Sequence, residues 1–488
     1  MLSQTGKFAY LILFLLCISH VGHSQTSFQV TLKDSTYDDR VNDAIELSNG
    51  QFIIVGMRIV QPYSSLTAVI TKLDAYGNQI FQKLLQYNGK SSCLSGIIKI
   101  SENEFILSGA TYPGDTGYFW VCIIDSSLNV ITQKRFIFEN YSLSFNKMKL
   151  DHQNNILVFG IVDSLNTSYS FIFKLSENLD SVSCKIYNQH WTEEQDLIER
   201  SDHKGYYFLV NGFVSTGTGK ILSLDTNFNV DKITVLTDGV GYHGTLKLLD
   251  STHIIVGGEK VPIGNLSQST AIQLYDTNFN LIHYVDYSKP DTIEFPALFK
   301  SVDFSDPLSV FIGVASNIQF DEFAEVDNWY RLNNIDTAFN LKWERYYGGD
   351  GNYVLYGILA THDGGCLMYG TFWDYHNITD YTRYIRLIKV SKDGLLSIEN
   401  GKPGVNVREV ILYPNPGTDK IVVESGLKNL VVTFFDINGR CILKQQIQSK
   451  VESLDVSELV AGIYFYRFTD GDKVVETGKW IKEQLKNE

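Results

Sequence analysis

The stretch at residues 46–86 opens E-L-S-N-G-Q-F-I-I-V-G-M-R, continues T-A-V-I-T-K-L-D and closes G-N-Q-I-F-Q-K-L-L-Q. It contains three short runs, at 52–55, 68–73 and 79–85, filled with apolar and β-branched residues. Asn49-Gly50 and Gly77-Asn78 punctuate them. Runs of this length between such dipeptides read as β-strands joined by tight turns.

The unit recurs. A strand run ending in glycine marks each copy, at 52–56, 105–109, 156–160, 208–212, 254–258, 310–313 and 366–370. Taking Gly257 in the fifth copy, the marker glycines lie 53, 51, 52, 45, 56 and 57 residues apart. A period near 50 belongs to propeller blades rather than to the shorter helical repeats. A second run and a polar turn follow each marker. The turns begin at Asp74, Asp125, Ser176, Asp225, Asp276, Asp336 and Ser391, and five of them end on asparagine. Asp and Asn suit this place because their side chains bond nearby backbone. A more polar last strand closes each copy, as at 131–138, 182–187, 230–236 and 341–347.

Seven copies of about four strands predict an all-β chain, a seven-bladed β-propeller over residues 25–400. The bland alternative is an irregular β-sandwich with coincidental glycines. The marker glycine is expected where inner strands of neighbouring blades approach closely. A strand at 26–33 precedes the first full copy and is expected to pair with the last blade. Ring closure would then join the two ends of the repeat region.

Composition bounds the function. The net charge of −14 argues against a nucleic-acid partner. Tyr 28 and Phe 29 against Met 4 favour strands over helices. Six cysteines are scattered without a C-x-x-C. They form neither a disulfide framework nor a zinc signature, although Cys93 and Cys122 could pair. Residues 1–24 read as a signal peptide, with Lys7 ahead of the apolar run 8–18 and small residues before Gln25. No later segment reads as a membrane-spanning helix.

Residues 401–406 form a Gly/Pro-containing linker, and 407–488 a small β-sandwich. Its landmarks are Tyr413-Pro414-Asn415-Pro416, F-D-I-N-G-R ending at Arg440 with Gly439, L-D-V-S-E-L ending at Leu459, and G-I-Y-F beginning at Gly462. A basic end follows at 479–482. In this order the pieces resemble the type A C-terminal sorting domain of the type IX secretion system of Bacteroidota. The resemblance implies Sec export to the periplasm and then transport across the outer membrane by the type IX machinery. It also implies removal of the tail, leaving a secreted or cell-surface cargo. The repeat region resembles the β-propellers that such cargo carries, with no specific family matched. Asp-Ser/Thr-apolar triplets at Asp34, Asp163, Asp180, Asp291 and Asp336 resemble O-glycosylation sites of exported proteins of that group.

Chemistry is less legible. No G-x-S-x-G, H-E-x-x-H or G-x-x-x-x-G-K-[ST] occurs, and the histidines, His203 among them, lack ligand-like spacing. The longer polar insertions at 112–117, 261–269, 317–327 and 372–382 would lie on the rims, where binding residues gather. Trp373, Tyr375 and His376 in the last are candidates to line a sugar- or peptide-binding rim. Trp191 is a further aromatic candidate, next to His190, whereas Trp329 and Trp343 read as core. Asp321, Glu322, Glu325 and Asp327 form an acidic loop that could hold calcium, as could 349–352. No other cofactor is indicated. The leading reading is a binding or adhesion module for a glycan or protein. The alternatives are an extracellular polysaccharide hydrolase or lyase, and a structural part of the envelope or gliding machinery.

Overall fold

The computed structural model describes residues 26–33, 37–60, 65–165, 167–187, 196–211, 219–236, 240–260, 269–287, 289, 292–319, 324–377, 382–396, 410–413, 417–425, 427, 430–437, 439–471 and 473–483. Residues 1–24 and 401–406, where a leader and a linker are expected, lie outside the described residues, as do His190, Trp191, Asp321, Glu322, Pro414, Asn415 and Pro416.

Seven antiparallel sheets follow one another along the chain, and two further sheets form a small C-terminal β-sandwich. The chain is thus all-β, a seven-bladed propeller followed by a sandwich. The first blade shows the plan: Tyr37–Glu46, Phe52–Val60, Ser65–Leu73 and Gln79–Leu85 pair in sequence order. Its two middle strands are mostly buried, whereas Gln79–Leu85 is exposed or half-buried throughout. This gradient explains why the last strands carry more polar residues.

The seventh sheet closes the ring. Asn352–Ala360, Cys366–Trp373 and Tyr384–Val390 pair in order, and Phe28–Leu32 adds the outer strand. Phe28 faces Lys389 and Leu32 faces Ile385. The early strand therefore does pair with the last blade.

The glycine-marked run is the second strand of each blade, and another strand precedes it. These first strands are Tyr37–Glu46, Ser91–Lys99, Ser142–Leu150, Asp196–Glu199, Val240–Leu248, the split pair Glu294–Pro296 and Val302–Asp303, and Asn352–Ala360. Several carry a bulge, as between Leu94 and Gly96. The bulge gives the marker glycine its reason. A Cβ on Gly109 would overlap the carbonyl oxygen of Cys93, on the first strand of its own blade. Gly56 and Gly370 meet Arg40 and Val354 in the same way. Gly257 differs, since its Cβ would overlap Val302 of the next blade. Close approach between blades therefore accounts for some markers. Crowding within a blade accounts for Gly56, Gly109 and Gly370.

The turns after the third strands repeat one geometry. In the fifth blade Asp276 Oδ1 accepts from the N–H groups of Asn278 and Asn280, at 2.9 and 2.8 Å. Asn280 Nδ2 donates to Asp276 Oδ2 at 2.8 Å. The residue before the final position adopts a left-handed backbone in all seven turns: Gly77, Leu128, Leu179, Phe228, Phe279, Phe339 and Gly394. The Leu and Phe side chains there are buried. The turns thus drive apolar side chains into the seams between blades.

Cys93, Cys122, Cys184, Cys366 and Cys441 are free thiols, so Cys93 and Cys122 do not pair. Cys184 and Cys441 are exposed. No helix among the described residues is long and apolar enough to cross a membrane.

Candidate functional site

The first strands of the blades converge on the ring axis and enclose a cavity of about 340 Å³. Asp43, Gly96, Lys147, Asp196, Lys247, Lys300 and Leu359 each bring one of the seven blades to its wall. Four lysines, at 147, 149, 247 and 300, face three aspartates, at 43, 196 and 303. A chain of net charge −14 thus places more lysines than acids at its axis.

The sixth blade shapes this cavity. Its first strand breaks after Pro296, and the chain crosses to the seventh blade. Phe299 N–H donates to Tyr356 O at 2.7 Å, and Ile358 N–H donates to Lys300 O at 3.0 Å. The detour pushes Phe299 and Lys300 toward the axis. Lys147 Nζ, from the third blade, donates to Phe299 O at 2.8 Å. Phe299 and Asn42 also line a second cavity of about 310 Å³, which Arg40, Tyr356 and Arg383 share. These two residues therefore stand in the walls of both cavities, the second of which is lined by the first, sixth and seventh blades alone.

The charges are interlocked. Lys149 lies 2.5 Å from Asp196, Lys300 lies 2.8 Å from Asp303, and Lys247 pairs with the same Asp303. Burial works against ionisation of Asp303, but the ammonium groups of Lys300 and Lys247 outweigh it and hold its pKa at about 2. Burial pulls Lys247 below the usual lysine range, aided by Lys300. Burial also disfavours the charge on Lys300, yet Asp303 and Asp43 reverse the balance and raise its pKa. Asp43 is pushed up by burial despite accepting from the N–H groups of Ile97 and Ala44. The side chains of Lys149, Lys247 and Lys300 keep 37, 32 and 34% exposure, so a ligand in the cavity can reach them.

The rim candidates fall elsewhere. Tyr375 O–H donates to Asp327 Oδ1 at 2.8 Å, and His376 Nε2 lies 2.7 Å from the same oxygen. The Tyr375 and His376 rings sit 4.1 Å apart. One aromatic candidate pair and one acidic candidate thus form a single group. Trp373 is buried, with its ring 5.6 Å from that of Tyr375. Burial and the hydrogen bond to Asp327 raise the Tyr375 phenol above its ordinary range. Glu325 is exposed. In the tail, Gly439 takes a left-handed backbone in the turn from Asp436 to Arg440, and Gly462 opens the strand Gly462–Asp470.

Sequence reading missed every lysine of the axial cavity. Their signal was available only as polar residues alternating along the strands ahead of each glycine marker.

Fold and tail together define an exported propeller protein. Residues 411–483 match the family described as the Secretion system C-terminal sorting domain. The chain therefore carries a type IX secretion sorting domain, engages that machinery through it, and is secreted or held at the cell surface. No curated protein matches the chain in sequence. Among solved structures, the polysaccharide lyase Uly1 aligns with a TM-score of 0.45 at 8% identity, over 72% of this chain and 90% of its own. The β-propeller domain of the Trilobed protease from Pyrococcus furiosus aligns with a TM-score of 0.43 at 10% identity, over 73% of this chain and 98% of its own. Hydrazine synthase of Kuenenia stuttgartiensis aligns with a TM-score of 0.45 at 9% identity, over 77 and 99%. Likeness at this level carries no statement about activity.

Proposed function

We propose that the protein is an exported binding module whose axial cavity takes a sugar acid. The observation that supports this reading is the clustering of Lys147, Lys149, Lys247 and Lys300 around one small chamber. An ammonium group attracts a carboxylate, most strongly where water is scarce. The neighbouring Asp43 and Asp196 can accept from sugar hydroxyls, and Phe299 and Tyr369 offer apolar ring surface. A volume of about 340 Å³ is near the lower end of ligand-pocket sizes, suited to one sugar ring rather than a long chain. The Asp327–Tyr375–His376 group supplies a further contact point away from the axis. A type A tail and Sec export would carry the module to the surface.

Calorimetric titration of the mature chain with glucuronate, galacturonate and their short oligomers tests the reading, with glucose and acetate as controls. Saturable binding of uronates that weakens with salt and falls in Lys149→Met is the expected result. Equal binding of glucose, or no uronate binding, overturns it. Turnover to an unsaturated product would replace it with the lyase alternative.

A further inference from the structure

A second cluster lies apart from the axial cavity, on the turns that join first and second strands. His152 sits in the turn after Ser142–Leu150 of the third blade. Glu199 ends the first strand Asp196–Glu199 of the fourth blade, and His203 lies in the turn that follows. His152 Nδ1 is 2.5 Å from Glu199 Oε1, and His203 Nδ1 is 3.3 Å from the same oxygen. One ligand atom from each residue lies within 4.8 Å of the other two. The imidazole rings are 4.2 Å apart.

Two features point the cluster at an ion. First, the carboxylate is aimed: the main-chain N–H of His152 donates to Glu199 Oε2 at 2.8 Å, which leaves Oε1 facing both rings. Such outer hydrogen bonds orient metal ligands. Second, no lysine or arginine lies within ion-pair distance of Glu199 among the described residues; its ion-pair partners are the two histidines. The side chains of His152 and His203 are 39 and 55% exposed, so an ion has access from solvent.

We propose that His152, Glu199 and His203 bind one divalent transition ion of the zinc class, clasping the third blade to the fourth. At metal–ligand distances of 2.0–2.1 Å, ligand atoms on a tetrahedron stand about 3.3 Å apart. Small side-chain movements bring the three atoms to that spacing. Two nitrogens and one oxygen suit zinc, whereas calcium and magnesium take oxygen ligands. Water fills the fourth position. The ion links turns whose residues are 47 apart in the chain. It is independent of whatever the axial cavity binds.

The test uses the full mature chain after chelator treatment. Zinc titration by calorimetry should show one saturable site per chain, with calcium and magnesium failing to compete. Cobalt should bind at the same site and give the intense visible absorption of a four-coordinate ion. His203→Asn, which tolerates the left-handed backbone, and Glu199→Gln should each weaken zinc binding by more than about tenfold, because losing a ligand exceeds losing an outer hydrogen bond. Zinc should raise the melting temperature of the wild type and not of these variants. The absence of a one-to-one zinc site, an octahedral cobalt spectrum, or unchanged binding in both variants overturns the proposal.

Discussion

Lys389 donates its ammonium to the main-chain carbonyl of Thr26 at 2.5 Å, across 363 residues of chain. The same ammonium lies 2.6 Å from Asp363, and the Lys389 side chain is 1% exposed. Arg386, on the same strand, reaches Thr31. These contacts reinforce the ladder that joins Phe28–Leu32 to Tyr384–Val390, the sheet in which the two ends of the repeat region pair.

Lys389→Met should therefore weaken the closure itself. It takes the ammonium away from the half-buried Asp363 carboxylate and removes the Lys389 donor from the Thr26 carbonyl. Removing one partner of a buried ion pair costs about 3–5 kcal/mol. Denaturant unfolding of the full chain should show a loss of about 3 kcal/mol, the lower end of that range. Asp363→Asn added to Lys389→Met should cost less than Asp363→Asn alone. Strict additivity would show that the two side chains act independently.

Asp303 makes the axis acid-sensitive. Its pKa is about 2 in the folded chain, against about 3.9 when unfolded. A depressed carboxyl contributes stability that is complete above the unfolded value. That contribution drains away as pH falls from about 4 toward 2. At 1.36 kcal/mol per unit the full contribution amounts to about 2–3 kcal/mol. Asp303→Asn lacks this contribution at every pH and leaves Lys247 and Lys300 without their shared partner. Wild type should exceed the variant in stability at pH 5. The gap should narrow by about 2 kcal/mol by pH 2, as the wild-type carboxyl takes up its proton. A gap that stays constant across this window would place the titration of Asp303 outside the folding equilibrium.

The parts of the fold that sequence reveals are those with a strict local pattern. The turn D-T-N-F-N at 225–229 and again at 276–280 needs an acceptor first, a left-handed residue fourth and an amide last. That chemistry is local, so it survives in the letters. The first strands obey a different demand. Y-D-D-R-V-N-D-A-I-E at 37–46 turns one face to a charged axis, and its mixture of polar and apolar residues shows no clean alternation. Glu294–Pro296 is shorter still, because the chain leaves its sheet to reach Tyr356. The site depends on what these strands place together, and no spacing along the chain encodes it. His376 and Asp327 meet from loops 49 residues apart. His152 and Glu199 meet from adjacent blades.

The marker glycines separate two kinds of crowding, and alanine distinguishes them. Gly109 has no left-handed backbone, so strain at φ plays no part. Its Cβ would meet the carbonyl of Cys93, a backbone atom held by the bulge between Leu94 and Gly96. That carbonyl cannot retreat without breaking the pairing of Leu94 with Gly109. Gly257 would instead meet a methyl group of Val302 and the end of Ile272. Side chains can shift, at the usual overpacking cost of about 1–3 kcal/mol. Gly109→Ala should therefore lose more than about 4 kcal/mol, in the range reserved for severe substitutions, or fail to yield folded protein. Gly257→Ala should fold with a moderate loss, and denaturant midpoints of the two variants compare them directly. The opposite order would mean that the bulged first strand is free to yield and that the seam between blades sets the limit.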